Sequence, residues 1–171
     1  VQSHFRGDGA SQVIYRSKSA LEAYCGVIDK SPVNYAMANS WYDFEQDVKK
    51  WHQHLGYEIL HQAANGKGDG GIDTLARFAN KTEAFDVLIQ CKKWKNPVGP
   101  DVVRELLGSI EDYKLNVLSK NRVATTSQIR GAIFTTSYFT EEASQLANRH
   151  AVELFDGEAW SQLVPKLKAK S

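Results

Sequence analysis

Apolar positions recur along this chain with two different spacings, and the change of spacing marks the predicted elements. Between Ser40 and Gly56 they recur every three or four residues, which puts them on one face of a helix. Shorter runs with turn residues on either side predict strands at 57–63, 71–79, 84–94, 129–135 and 152–155. Further helices are predicted from Pro100, after Thr140 and after Gly157. The order α-β-β-β-α-β-α-β-α predicts an α/β fold with a mixed sheet flanked by helices.

The domain organisation follows from length and from the first legible helix. A chain of 171 residues, 42% hydrophobic and 24% charged, fits one globular domain with a possible appendage. We expect that domain at 40–171 and a partly flexible N-terminal extension at 1–39. A capping-box pattern predicts a short helix at 19–28 within the extension. The chain begins at Val1, which leaves open whether it is a fragment of a larger protein.

Charge and cysteine usage narrow the function classes. A formal net charge of +1 gives no overall basic signal, so a nucleic-acid partner requires local positive charge, as in the segment 92–95. Two cysteines, Cys25 and Cys91, argue against a disulfide framework and fit a cytoplasmic protein. No apolar run is long enough to span a membrane, so no membrane partner is expected.

The predicted hairpin formed by the strands at 71–79 and 84–94 contains the candidate chemistry. Gln90 and Lys92 fall on one face of the second strand, about 6 to 7 Å apart, because side chains alternate between faces. Asp73 follows a glycine-rich turn and can lie opposite them across the hairpin. Polar side chains buried without partners cost several kcal/mol, and a metal ion with a bound phosphate would remove that cost.

These residue types suit metal-dependent hydrolysis of a phosphodiester. Asp73 would bind Mg²⁺, Gln90 would add a neutral oxygen, and Glu45 at the border of the first helix's apolar face would reach the same ion. Lys92 would orient or deprotonate the attacking water and stabilise charge on the phosphate. Other interpretations are open for each residue alone: Asp73 as a turn cap, Lys92 as a surface charge and Glu45 as a solvated flank.

The pattern Asp73 with Gln90-Cys91-Lys92 resembles the PD-(D/E)xK nuclease signature, in the Gln-x-Lys form of Mrr-type restriction endonucleases. Further segments resemble that family in the same order between residues 41 and 163: 68–73, 90–94, 96–99, 103–108 and 135–140. The resemblance implies a restriction endonuclease-like fold, an αβββαβ core with an extra C-terminal strand and helix. It also implies a catalytic set of Asp73, Gln90 and Lys92, with Glu45 as the acid of the first helix. The residues before 41 match nothing in the family.

Residues beside this set are weaker candidates for DNA binding. Lys93, Trp94 and Lys95 could pair with phosphates and stack on bases, or form a solvated strand end. Thr136 and Ser137 could bind phosphates at the sheet edge, although hydroxyl-rich strand exits are common. Three histidines lack a metal-ligand set and are predicted to be structural or exposed: His52, His54 and His61.

The predicted function is a Mg²⁺-dependent DNA endonuclease of the restriction type, with Mn²⁺ as an alternative ion. Two other functions stay open: a structure-selective nuclease such as a Holliday junction resolvase, and a non-catalytic DNA-binding or assembly module that keeps the fold. DNA is the expected partner. A homodimer and a separate target-recognition domain or subunit are left open by the sequence.

Overall fold

The computed structural model describes residues 40–62, 72–81, 84–119 and 128–160. Two predictions lie outside those ranges: the extension at 1–39 and its helix at 19–28. The last predicted helix is described only for residues 157–160, which are helical, and its remainder also lies outside. Within the described ranges the other helices are α1 Trp41–His54, α2 Pro100–Ser119 and α3 Glu141–Arg149. The strands are β1 Glu58–Gln62, β2 Thr74–Ala79, β3 Ala84–Lys92, β4 Gln128–Thr135 and β5 Val152–Phe155.

One mixed sheet organises these elements, with the strands in the order β1-β2-β3-β4-β5. The pairs β1/β2 and β2/β3 are antiparallel, whereas β3/β4 and β4/β5 are parallel. One face of the sheet packs on α1, and the other packs on α2 and α3. The predicted α/β class and its mixed sheet are confirmed. No helix in the ranges given above has the length and apolar character that crossing a membrane requires.

Helix α1 has well-defined ends because the sequence provides both caps. Ser40 and Asp43 form a capping box, in which each side chain accepts a hydrogen bond from the other's backbone N–H. After the helix, Gly56 has a φ of 87° and its N–H donates to the Gln53 carbonyl, which suits glycine. Trp41 is 37% exposed. The apolar face that packs on the sheet therefore begins at Phe44.

The hairpin of β2 and β3 forms as predicted, with one shift at its start. Thr74 pairs with Ile89, and β2 begins at Thr74 rather than three residues earlier. Asp73 consequently lies just before the strand, where the chain turns away from the regular ladder. On β3, residues with even numbers from 86 to 90 lie on the face covered by α2, and the odd-numbered residues contact the core beneath α1.

Parallel pairing brings the C-terminal ends of β3 and β4 together at one end of the sheet, where Lys92 lies beside Thr135. This end, formed by the strand termini and not by an outer strand, is called the sheet edge below. Close packing of residues after β5 supports this edge. The Gly157 N–H donates to the Ser137 carbonyl at 2.7 Å. A Cβ atom on Gly157 would lie 2.4 Å from the Thr136 carbonyl oxygen, so only glycine fits without a shift of the backbone.

Candidate active site

Asp73 is held at the sheet edge by two hydrogen bonds to β3. Its backbone N–H donates to the Ile89 carbonyl at 2.9 Å, and its Oδ2 accepts from the Cys91 N–H at 2.5 Å. The side chain is 8% exposed. A carboxylate that accepts a backbone N–H has little rotational freedom, so its other oxygen points in a fixed direction into the site.

Glu45 of α1 meets Asp73 across the sheet edge, and the two carboxyl groups share a hydrogen bond. Burial and the nearby Asp73 charge raise the pKa of Glu45 to about 8. Burial also raises the pKa of Asp73, although the Cys91 N–H, the hydrogen bond with Glu45 and the Lys92 charge act in the opposite direction. Both carboxyl groups therefore bind a proton more tightly than usual, because full ionisation of the pair would place two like charges together in a buried site.

Gln90 is a buried polar residue whose whole amide group the surrounding protein leaves without a partner. It is 1% exposed, and neither atom of its amide has a hydrogen-bond partner among the described residues. Among the same described residues, Oε1 of Glu45 is also buried without a hydrogen-bond partner. Buried polar atoms of this kind cost free energy unless a ligand or ion completes them.

Lys92 ends β3 on the same side as Gln90, and its side chain is 21% exposed. Its Nζ lies 3.8 Å from Oε2 of Glu105 on α2 and 5.5 Å from the centroid of the Trp94 ring. The sequence patterns by themselves indicate no function for Glu105. The signal that could have singled it out is its position in the segment 103–108, which carried part of the family resemblance.

The weaker DNA-binding candidates surround the same edge. Lys93 is half-buried, Lys95 is exposed and Trp94 is 43% exposed. Thr136 Oγ1 donates to the Trp94 carbonyl at 3.1 Å, and Ser137 Oγ donates to the Lys95 carbonyl at 3.2 Å. Both hydroxyls thus tie the exit of β4 to the exit of β3, and DNA contact by these five residues stays a prediction.

The histidines do not join this site. His52 is buried in the aromatic core with its Nδ1 2.8 Å from the Val48 carbonyl oxygen, whereas His54 and His61 are exposed. In the ranges that the structure covers, no three His, Cys, Asp or Glu side chains gather as a metal-binding group. The side chains at this edge that could hold an ion are the carboxyl groups of Glu45 and Asp73 and the amide oxygen of Gln90. Mg²⁺ prefers such a set of few protein oxygens and several waters.

Comparison with solved structures identifies the fold. FokI restriction endonuclease superimposes with a TM-score of 0.52 at 11% identity, covering 78% of this chain and 26% of FokI. MspJI restriction endonuclease, solved in complex with a 27-mer oligonucleotide, gives a TM-score of 0.50 at 17% identity, covering 98% of this chain and 34% of MspJI. The sheet and its flanking helices therefore have the restriction endonuclease-like fold.

Comparison with family models identifies the family. The restriction endonuclease model Mrr_cat matches residues 36–164, and the chain belongs to that family. The membership places the domain among the DNA endonucleases, which are hydrolases, and nucleases of this fold generally use a divalent metal ion.

Two curated relatives match parts of the chain. The Type IV methyl-directed restriction enzyme EcoKMrr of Escherichia coli K12 is 32% identical over 98 residues, which are 57% of this chain and 28% of the enzyme. An uncharacterized mitochondrial protein of Schizosaccharomyces pombe is 40% identical over 60 residues, which are 33% of this chain and 24% of that protein. The matched regions span about a quarter of each relative.

Proposed function

We propose that this domain is a Mg²⁺-dependent endonuclease of the restriction type that hydrolyses phosphodiester bonds in DNA. The observation that carries the proposal is the buried pair Glu45 and Asp73 beside the unpartnered amide of Gln90, with Lys92 on the same edge. A structural polar cluster would satisfy its own atoms. This one leaves oxygens unsatisfied where β3 and β4 both end.

Asp73, Gln90 and Glu45 are the proposed ligands of the ion. Asp73 is positioned by the Cys91 N–H, and the amide oxygen of Gln90 has no competing partner among the residues described. A cation bound by the two carboxyl groups would neutralise part of their paired charge, which the burial of both groups makes costly. When bound, Mg²⁺ supplies Lewis-acid stabilisation of the charge that grows on the phosphate. Mn²⁺, which accepts the same oxygen donors, is the proposed substitute.

Lys92 is proposed as the residue that handles the attacking water. Its ammonium group can hydrogen-bond both a water and a phosphate oxygen at the open side of the site, since its side chain is partly exposed. Holding the water in line with the scissile bond lowers the entropic part of the barrier, and the positive charge favours the more negative transition state. Lys93, Lys95, Thr136 and Ser137 would then contact the DNA on either side, and Trp94 is the fifth candidate for that contact.

The proposed domain organisation rests on the length of the relatives, which exceeds that of the matched regions. We propose residues 40–171 as the nuclease domain, residues 1–39 as an extension, and a separate domain or subunit that reads the target, because the relatives are much longer than the matched regions. Cutting both strands would require two sites, so a homodimer on DNA is proposed for that step. The buried free thiol of Cys91 suits the reducing cytoplasm, which is the proposed compartment.

A plasmid-cleavage assay tests the proposed function. The wild-type chain should nick or linearise supercoiled plasmid with Mg²⁺ or Mn²⁺ and not with EDTA. The variant Lys92→Ala should lose about 100-fold or more of the rate. Lys114→Ala serves as the matched control, because that lysine pairs with Glu111 on an outer face of α2. Equal residual nicking by wild type and Lys92→Ala would refute the assignment.

The choice of DNA separates the open alternatives. Linear, methylated and four-way-junction substrates should be compared at one Mg²⁺ concentration. Strong preference for the junction would indicate a structure-selective resolvase instead of a restriction enzyme. Binding of DNA with no metal-dependent cleavage of any substrate would indicate a non-catalytic module.

A further inference from the structure

The ammonium group of Lys92 contacts two side chains to which the proposed function gives no role in chemistry. We propose that Glu105 and Trp94 are positioning residues that together hold Lys92 at the open side of the active site. This inference rests on the proposed role of Lys92. Its structural basis is the convergence of three segments: the last residue of β3, the exit loop after it and the second turn of α2.

Lys92 needs such support because of its position and its chemistry. A lysine ammonium is a mobile, strongly hydrated charge on a flexible four-carbon stem. Lys92 is the final residue of its strand and its side chain is partly exposed, so the sheet fixes only the backbone. Backbone hydrogen bonds do restrain that residue, since its carbonyl accepts from Thr135 Oγ1 at 2.7 Å. The ammonium group must be restrained by side chains.

Glu105 supplies the charged contact. Its Oε2 lies 3.8 Å from Lys92 Nζ, a distance for direct ionic attraction, although longer than a hydrogen bond. The neighbouring Arg104 does not compete, because its Nη1 bonds Asp101 at 2.6 Å on the outer side of the helix. The Lys92 charge lowers the pKa of Asp73 and the Glu105 charge raises it, so all three groups lie close enough to interact electrostatically.

Trp94 supplies the second wall. Lys92 Nζ lies 5.5 Å from the centroid of the indole ring, within the range of a cation–π interaction. The carbonyl of Trp94 accepts the Thr136 hydroxyl, which fixes the backbone from which the ring projects. An acid and an aromatic ring thus both contact the ammonium group, which limits the positions that it can take.

This arrangement predicts a distinctive kinetic result. Removing the negative charge of Glu105 weakens the restraint on Lys92, which lowers kcat. The same change removes an acid that repels the DNA backbone, so KM should fall or stay unchanged. A side chain needed only for folding would lower the active fraction, and one that bound DNA would raise KM. Because the pair is partly solvated, the expected loss in kcat is about five-fold, the upper end for an exposed ion pair.

The experiment compares steady-state plasmid cleavage by Glu105→Gln, Trp94→Leu and Trp94→Phe with the wild type. Glu105→Gln should lower kcat about five-fold without raising KM. Trp94→Leu should also lower kcat, whereas Trp94→Phe, which keeps an aromatic face, should lose clearly less kcat than Trp94→Leu. Glu111→Gln on the same helix is the control, expected to leave kcat and KM unchanged, and thermal melts should be alike for all four variants.

Three results would overturn the positioning role: full kcat in Glu105→Gln, a rise in KM as the only effect of Trp94→Leu, or equal losses of kcat in Trp94→Leu and Trp94→Phe. Lys92→Ala separates this inference from the proposed function. If Lys92→Ala cleaves like the wild type, both are wrong. If Lys92→Ala is inactive while Glu105→Gln keeps its full kcat, only the positioning role is wrong.

Discussion

The two ends of the β2–β3 hairpin each bury an acid, and the two acids differ in how completely they are satisfied. At the end near the hairpin turn, Asp86 is fully buried and accepts hydrogen bonds from Arg77 Nε at 2.7 Å, Arg77 Nη2 at 3.0 Å and Tyr113 Oη at 2.8 Å. At the other end, Asp73 lies against the carboxyl group of Glu45, and the nearby amide of Gln90 has no hydrogen-bond partner among the described residues.

The difference indicates which polar groups the protein uses for its own stability. Asp86 obtains a bidentate guanidinium and a phenol, so its burial is compensated inside the fold. The amide of Gln90 obtains nothing from the residues that the structure covers, and its burial is a cost that persists until something binds. The first end therefore belongs to the scaffold. The second end has the features expected of a site that a ligand completes.

The largest expected effect comes from replacing Gln90 with an apolar side chain of similar size. Gln90→Leu should lower the rate of Mg²⁺-dependent cleavage about 100-fold, because an ion ligand is lost. The same change should raise the free energy of unfolding by about 1 kcal/mol without metal, because an unpartnered buried amide is removed. Urea denaturation and plasmid cleavage measure the two quantities.

The exposed Gln53 on α1 offers a matched control for that substitution. Gln53→Leu should leave cleavage intact and change stability by less than about 0.5 kcal/mol. If Gln90→Leu destabilises the metal-free protein by more than 1 kcal/mol, the amide has a structural role and the contrast between the two ends of the hairpin is lost.

Asp86→Ala should have the opposite outcome at the other end. The substitution leaves the Arg77 guanidinium beside a cavity without its carboxylate, and we expect a loss of about 3 kcal/mol in the free energy of unfolding. Cleavage per folded molecule should stay near the wild-type value, because Asp86 lies four residues before Gln90 at the far end of the buried strand. Asp101→Ala, which breaks an exposed pair on α2, is the control and should cost less than about 1 kcal/mol. A folded but inactive Asp86→Ala protein would contradict the division between scaffold and site.

His52 extends the comparison to a buried group that titrates. Burial lowers its pKa to about 4, against the opposing hydrogen bond with the Val48 carbonyl, while an unfolded histidine titrates near 6.5. The unfolded state then binds more protons at this site than the folded state between these values, so the contribution of His52 to stability is present above pH 6.5 and is lost as pH falls toward 4. That contribution should decrease by up to about 1.4 kcal/mol per pH unit, or about 2 kcal/mol between pH 7 and 5. Glu45, whose pKa is raised to about 8, contributes the opposite slope over the same range, so the effect of His52 is the difference between the wild type and a His52 variant.

Urea denaturation at several pH values between 7 and 5 tests that slope. Relative to the wild type, the slope of His52→Gln should be lower by about 1 kcal/mol per pH unit, whatever its own stability, and His54→Gln at an exposed position should keep the wild-type slope. Equal slopes in the wild type and His52→Gln would show that His52 makes no such contribution.

The sequence predicted what depends on local patterns. The spacing of apolar residues predicts helix α1, the hairpin and the shared face of Gln90 and Lys92. It also predicts that Asp73 lies opposite that face. The same alternation also puts Asp86 on the face of Gln90, so the pattern alone could not separate a scaffold acid from a site residue. What separates them is the partner Tyr113, 27 residues away on α2. The sequence indicates no role for Glu105 for the same reason, because its contact with Lys92 depends on how α2 packs against β3.

Tyr113→Phe should have the smallest effect. It tests how much of the stabilisation of Asp86 comes from Tyr113 and how much from Arg77. Burial, followed by the hydrogen bond to Asp86, raises the pKa of Tyr113 to about 12, so its hydroxyl remains a donor at any working pH. Removing that donor leaves Asp86 with its bidentate contact to Arg77, and the expected cost is about 1 kcal/mol in the free energy of unfolding, with cleavage unchanged. Tyr138→Phe, at a position 59% exposed, should shift stability by less than about 0.5 kcal/mol in the same urea titration. A cost near 3 kcal/mol for Tyr113→Phe would mean that the phenol, rather than the ion pair, is the main support of Asp86.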